Sequence, residues 1–473
     1  MPAPFHQWLD HVPDLLALSR SDRDAFPFLL ETAAGGQLGG YTLLLHAAGP
    51  ALVARQGSEL TGPGIGNTFF ERLDSWFKQE ASMRAPADLP DSHSGPGAGI
   101  PFPGGWFIYL GYEIAAEIEP TLDLPAQATG LPDAIAQRCP GAVIVCHGSG
   151  PGGTDRAVVV AESGGLLAEL LERTGNSPDS PDAVPVASDP GLEGIFEEDP
   201  SRFKAAVHRI QEYLLAGDTF QVNVSRPWYG QFRSPPDPWH LYESLRRANP
   251  APFAGLMRWE NRFLLSSSPE RLVQVRGRLV QTRPIAGTRP RGKDSAQDRA
   301  LSDELLSNLK ERAEHVMLID LERNVLGRVC RPGTVEVNEL MVVETYAHVH
   351  HIVSNVRGQL VPTATPVDAM KAVFPGGTIT GCPKVRCMQI IAELEGEGRG
   401  FYTGSMGYLG SDGSLDLNIL IRSMLVHDRQ FVFRTGAGIV TDSDPEQEVL
   451  ETADKARGML LALESHGKER KYA

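Results

Sequence analysis

The chain has 473 residues, 41% of them hydrophobic, which is enough length for more than one ordinary domain and enough apolar surface for a large core. Its net charge is −15 and no long Lys/Arg run interrupts that balance, so a phosphate backbone is repelled and nucleic acid is disfavoured as a partner. The first residues, MPAPFHQWLDHVPDLL, lack the basic start and apolar run of a signal peptide and no later stretch reaches membrane-spanning length, so the cytoplasm is the expected location.

Two stretches rich in Pro, Gly, Ser and Asp, residues 84–105 and 174–194, break the pattern along the chain. The second divides an N-terminal part, 1–190, from a C-terminal region, 195–473. After it, Asp199 and Pro200 open a helix, Phe203, Val207, Ile210 and Leu214 form one stripe, and Gly217 closes it. In the following TFQVNVS, Phe220, Val222 and Val224 alternate with Gln221, Asn223 and Ser225, which predicts a strand with one apolar and one polar face. Strand-like runs around 262–282, one long helical run from about 298 to 327 and further strands from 334 to 360 come next. A helix opened by Pro383 then leads to three antiparallel strands (401–410, 415–427, 431–440) with turns at SDGS and HDRQ, and to a final helix. Strands in runs and helices in runs, without a βαβ rhythm, predict an α+β fold.

Several short patterns could carry chemistry. Glu311, Glu314 and His315 share a helix face, as do Glu448 and Glu451 in the helix started by Asp444 and Pro445. Each pair by itself is an ordinary solvated face; if the two helices converge, they make a hard-oxygen site suited to Mg2+. The loop FPGGTITGCPK, 374–384, could hold a carboxylate on its backbone N–H groups or be a tight connector. TGAGIV, 435–440, lacks the full GxGxxG of a dinucleotide site. His351 could be an acid, a base or a structural histidine. The five cysteines, at 139, 146, 330, 382 and 387, are odd in number and without CxxC spacing, which predicts idle or buried thiols rather than disulfides or zinc.

Taken together, SSPERLV (267–273), PIAGTRPRG (284–292), ERAEHVMLIDLERNVLGRV (311–329), HIVS (351–354), FPGGTITGCPKVRCMQII (374–391), YTGSMGYLG (402–410) and GAGIVTDSDPEQEVLETADKA (436–456) resemble the chorismate-utilising enzyme family. The resemblance spans roughly the C-terminal 270 residues. It implies two large antiparallel sheets packed as a sandwich with helices outside, the N-terminal part completing the sandwich. It further implies Glu314 and Glu451 as Mg2+ ligands supported by Glu311 and Glu448, with the metal on the ring carboxylate of chorismate. Tyr402, Arg422 and the Gly436, Ala437 and Gly438 segment are implied as binders of the enolpyruvyl carboxylate, where an arginine fork suits a bidentate partner. Ala286, Gly287 and Thr288 of PIAGT, with Gln221 and Asn223, are implied to line the substrate site. Glu270 is the implied general acid for the leaving C4 hydroxyl and His351 a proton-transfer or positioning group, and Thr378 and Lys384 of the glycine-rich loop join them.

The isochorismate and salicylate synthases are similar to one another in having a lysine base at the position of Gln221. A neutral amide cannot deprotonate water, so ammonia is the expected nucleophile. No amidotransferase triad is evident, so the ammonia is expected from a separate glutamine amidotransferase. Gln221-Val222-Asn223 and GGTITG are similar to the aminodeoxychorismate branch, whereas Ala286, where many of that branch have an adduct-forming lysine, is similar to the anthranilate branch. The expected product is 4-amino-4-deoxychorismate, with anthranilate as the alternative and a non-catalytic paralogue as the contrasting one. Val325 also departs from the family, which usually has aspartate there.

Overall fold

The computed structural model describes residues 4–32, 40–82, 100–149, 153–175, 190–345 and 349–465. Most of each Pro/Gly/Ser-rich stretch therefore lies outside the described residues. Among those that are described, antiparallel ladders assemble into a twelve-stranded and a ten-stranded sheet. Between the sheets lies an apolar layer to which both contribute, Phe28, Leu43, Leu45 and Met257 from one sheet and Phe107, Tyr109, Met406 and Tyr408 from the other. Phe28 and Phe107 stack across it with centroids 3.9 Å apart. On the outer face of the ten-stranded sheet, Trp76 and Phe77 of the helix Phe69–Ser82 and Met370 of Pro366–Val373 seal a second core. The helices Leu15–Ser21, Pro238–Ala248 and Pro445–Ser465 do the same for the twelve-stranded sheet. This is the expected α+β sandwich with helices outside, and burial of both sheet faces is what its mass of Val, Ile, Leu and aromatic side chains requires.

The sequence boundary near 190 does not divide the fold. The N-terminal strand Phe28–Glu31 pairs with Phe253–Trp259, and Gly105–Leu110 pairs with Ser405–Gly410. Both sheets thus need both parts of the chain.

Three elements differ from the pattern reading. The run 298–327 is two helices, Ser295–Ser307 and Leu309–Gly327. Asn308 between them adopts an extended ψ of 110° and its side chain accepts from the Glu311 N–H at 3.2 Å, so a local side-chain bond replaces helix continuation. The run 415–427 is also two elements, Leu415–Asn418 in the ten-stranded sheet and Ser423–His427 in the other. The run 262–282 crosses in the same way, between Arg262–Ser268 and Arg271–Arg276. Periodicity cannot register such a crossing, because the residues on both sides of it are apolar and extended. Finally, Val222 and Val224 are buried as expected, but Phe220 is 69% exposed, since it precedes the strand Gln221–Phe232 and its N–H bonds the Cys382 carbonyl.

Candidate functional site

The two crossings carry the site. Glu270 sits where the chain passes from Ser268 to Arg271, its N–H bonded to the Ser268 hydroxyl, and its own carbonyl accepts from Ile419 at the second crossing. Arg422 closes that second crossing in the left-handed region, φ 50°, which is strained for a residue with a side chain. Its guanidinium has no hydrogen bond or short ion pair among the described residues and feels the charge of Glu270. Burial holds the guanidinium below its ordinary pKa, and an arginine held out of water without a carboxylate is a ready partner for an anionic ligand.

Glu270 is buried and accepts a hydrogen bond from the Thr378 hydroxyl at 2.8 Å. Burial pushes its carboxyl up to about 8, with the Thr378 bond working against that rise and the charge of Glu322 adding to it. A carboxyl that keeps its proton at neutral pH can act as an acid. His351, in the strand Val349–Gln359 and paired in register with Thr288, is pushed down to about 3 by burial and by the charge of Arg422. Its imidazole is therefore neutral, able to orient a polar group or accept a proton but not to arrive as imidazolium.

The remaining expected residues join these in a ring of contacts. Thr378 accepts on its carbonyl from the Asn223 side chain at 3.0 Å, and the Thr380 carbonyl accepts from the Asn223 N–H. A Cβ added to Gly438 would stand 3.4 Å from Asn223 Oδ1 and 2.2 Å from Gln221 Nε2. Gln221 in turn donates to Glu314 Oε1 at 2.6 Å. One turn before Glu314 on the same helix, Glu311 is paired with Arg289 at 2.7 Å, and its second oxygen lies 2.5 Å from where a Cβ on Gly287 would project. Gly287, φ 73°, belongs to the strand Ile285–Pro290 beside His351, which closes the ring. On the other side, Gly436 leaves the room that puts the Tyr402 hydroxyl 2.9 Å from its missing Cβ. Ala286 is buried in this strand and offers no nucleophile.

The side chains of two further positions lie outside this ring. The Lys384 ammonium donates to the Val373 and Pro375 carbonyls at 3.0 and 2.8 Å, so it grips the base of the glycine-rich loop. The methyl of Ala437 points into the core with Val224 and Ile390, and only the flanking glycines face the site. Val325 likewise packs in the core beneath the ten-stranded sheet.

Glu451 is half exposed and paired with Lys455 at 2.7 Å; Lys455 also donates to the Gly436 carbonyl at 2.9 Å. Glu448 is buried. No three His, Cys, Asp or Glu side chains cluster tightly enough to hold a metal by themselves among the described residues. Mg2+ needs no such cluster, since it takes one or two carboxylates and leaves its other positions to water and an anionic substrate. The donor set suits it: Gln221 Oε1 and Glu311 Oε2 are buried acceptors without a partner, and both neighbour Glu314.

Sequence reading missed three residues of the site. Lys455, Arg289 and Glu322 lie in the motifs 436–456, 284–292 and 311–329, each valued for other positions. Only the tertiary contacts distinguish them.

Residues 46–461 match the family model described as chorismate binding enzyme. Over 368 residues, 77% of this chain and 74% of its relative, the chain is 45% identical to an anthranilate synthase component I-like protein of Synechocystis sp.. It is 50% identical over 277 residues, 58% of each chain, to aminodeoxychorismate synthase component 1 of Bacillus subtilis. The crystal structure of anthranilate synthase component I from Streptococcus pneumoniae superposes with a TM-score of 0.74 at 28% identity, covering 90% of this chain and 93% of that one.

Proposed function

The chain belongs to the chorismate-binding enzymes, and on that premise we propose that it aminates chorismate at C4, giving 4-amino-4-deoxychorismate with ammonia from a separate glutamine amidotransferase. The observation that carries the choice of C4 is the clamp between Asn223 and the GGTITG loop. The two sequence features similar to the aminodeoxychorismate branch are thus one physical unit, placed against Glu270 through Thr378.

In this reading Arg422, Tyr402 and the backbone at Gly436 and Gly438 bind the enolpyruvyl carboxylate, and Lys455 stands near the mouth as a further cation. Glu314 and Glu451, with Glu311 and Glu448 in support, would hold Mg2+, which when bound would supply positive charge at the ring carboxylate. Glu270 gives its proton to the C4 hydroxyl as the C4–O bond breaks and water leaves. Ammonia forms the C4–N bond directly, because Ala286 cannot form an adduct, and its surplus proton returns to Glu270. Neutral His351 orients the reacting ring or the departing water.

The need for a partner is supported by the state of the thiols. Burial raises the pKa of all five cysteines, to about 12 at Cys139 and Cys387 and about 11 at Cys146 and Cys330. None is an activated thiolate able to attack glutamine. Among the described residues no helix is long and apolar enough to cross a membrane.

A second reading, anthranilate synthase component I, is favoured by Ala286 and by relatives of that name. Chromatography of the products of chorismate, Mg2+ and an ammonium salt separates the two. We expect little anthranilate, and 4-aminobenzoate once aminodeoxychorismate lyase is added. Anthranilate as the main product without lyase overturns the choice.

A further inference from the structure

The reaction as proposed uses Glu270 and Thr378 but leaves two ionisable residues behind the loop without a task. Glu322, on the helix Leu309–Gly327, is 6% exposed, and one of its oxygens lies 3.3 Å from where a Cβ on Gly377 would project. It therefore lies against the backbone of the loop, one residue before Thr378. Lys384, at the start of the helix Lys384–Glu395, grips the same loop through the Val373 and Pro375 carbonyls. No short ion pair joins Glu322 to Lys384; each nonetheless feels the other's charge, and Glu322 also repels the charged form of Glu270. A helix core normally has no use for a buried carboxyl, which costs several kcal/mol to keep charged away from water. A leucine there would pack with Ile319 and Leu326 of the surrounding core.

We propose that Glu322 and Lys384 are positioning residues for Glu270, which hold the 374–380 loop from two helices and set the electrostatic field at the Glu270 carboxyl. This rests on the reading of Glu270 as the proton donor. Burial raises the Glu322 carboxyl and the charge of Lys384 works against that rise; while Glu322 is ionised it is costly for Glu270 to ionise as well, so Glu270 retains its proton for the leaving group. The other groups facing Glu270 are the Thr378 hydroxyl, the Ile285 N–H and Arg422, which all favour its ionised form, and the neutral His351 beyond Arg422. Burial remains the largest influence on Glu270, and Glu322 adjusts it.

The test reads the carboxyl itself. In infrared pH titrations of the full chain, the protonated-carboxyl band lost in E270Q belongs to Glu270. In E322Q its midpoint moves to lower pH, by on the order of half a unit to one unit, the size of a screened interaction between buried charges. E322M, which fills the space without charge, gives the same shift, so that if one variant fails to fold the other decides. K384M moves the midpoint in the same direction but adds nothing in an E322Q background, since the charge it controls is already gone. In turnover, the alkaline limb of kcat/KM moves with the midpoint. An unmoved Glu270 midpoint in whichever Glu322 variant folds, or additive shifts in the double variant, overturns the proposal. Because the infrared titration needs no turnover, it remains decisive even if the product proves to be anthranilate.

Discussion

Replacing Glu270 by Gln tests the buried-acid reading without reference to any reaction. The amide keeps the shape and can still accept from Thr378, but it does not titrate. In the folded chain burial raises the Glu270 carboxyl from its ordinary 4.5 to about 8. Between those two values the folded protein holds a proton that the unfolded chain has lost, so stability falls as pH rises. The contribution is whole below the unfolded value and lost as pH climbs through the folded one. A rise of about 3.5 units at ~1.4 kcal/mol each comes to about 5 kcal/mol between pH 4.5 and 8, an upper figure given coupling to Glu322. Denaturant unfolding of wild type and E270Q at half-unit steps from pH 5 to 9 should show two curves that diverge steadily. E270Q becomes the more stable protein at alkaline pH, by several kcal/mol, although it has lost turnover. A wild-type minus E270Q difference that stays flat across that range would mean that Glu270 is ionised in the folded state, and its assignment as an acid would fall.

Glu314→Gln removes a charged ligand while leaving the Gln221 contact geometrically possible, and should abolish Mg2+-dependent turnover with an unchanged unfolding midpoint; wild-type activity at limiting Mg2+ refutes the metal assignment. Gly438→Ala pushes a methyl against Gln221 Nε2, now 2.2 Å from that position, and should raise the Mg2+ concentration needed for half-maximal rate, read in a metal titration. Arg422→Met deletes a charge that has no short partner in the fold, so kcat/KM for chorismate should fall by ~10–100-fold, the worth of a charge-assisted hydrogen bond, without loss of stability. The purified chain should turn over with ammonium but not with glutamine; glutamine consumption by the single chain contradicts the need for a partner.

How much of this was legible in the sequence can be read from particular residues. The helix Pro200–Leu215 was, because Asp199 caps it, Pro200 starts it and its apolar stripe has one period throughout. So was the final helix, where Asp444 accepts from the N–H groups of Glu446 and Gln447. Local chemistry fixes such elements, and the motif order identified the residues worth following. The partition of 262–282 and 415–427 between two sheets was not legible, since a strand that changes sheets keeps the same alternation and the same residue types.

The sequence by itself determined the types of group at the candidate site: carboxyls at 270, 311, 314, 448 and 451, a fork at Arg422, glycines at 436 and 438. Tertiary structure alone decided what each can do. Burial keeps the Glu270 carboxyl protonated and the His351 imidazole neutral at neutral pH, Gln221 is tied to Glu314 by a bond that spans 93 residues of sequence, and Lys384 is bonded to two carbonyls of its loop. The physical reason is that solvation and charge–charge terms depend on distance and dielectric in three dimensions, neither of which is encoded in the spacing of residues along the chain.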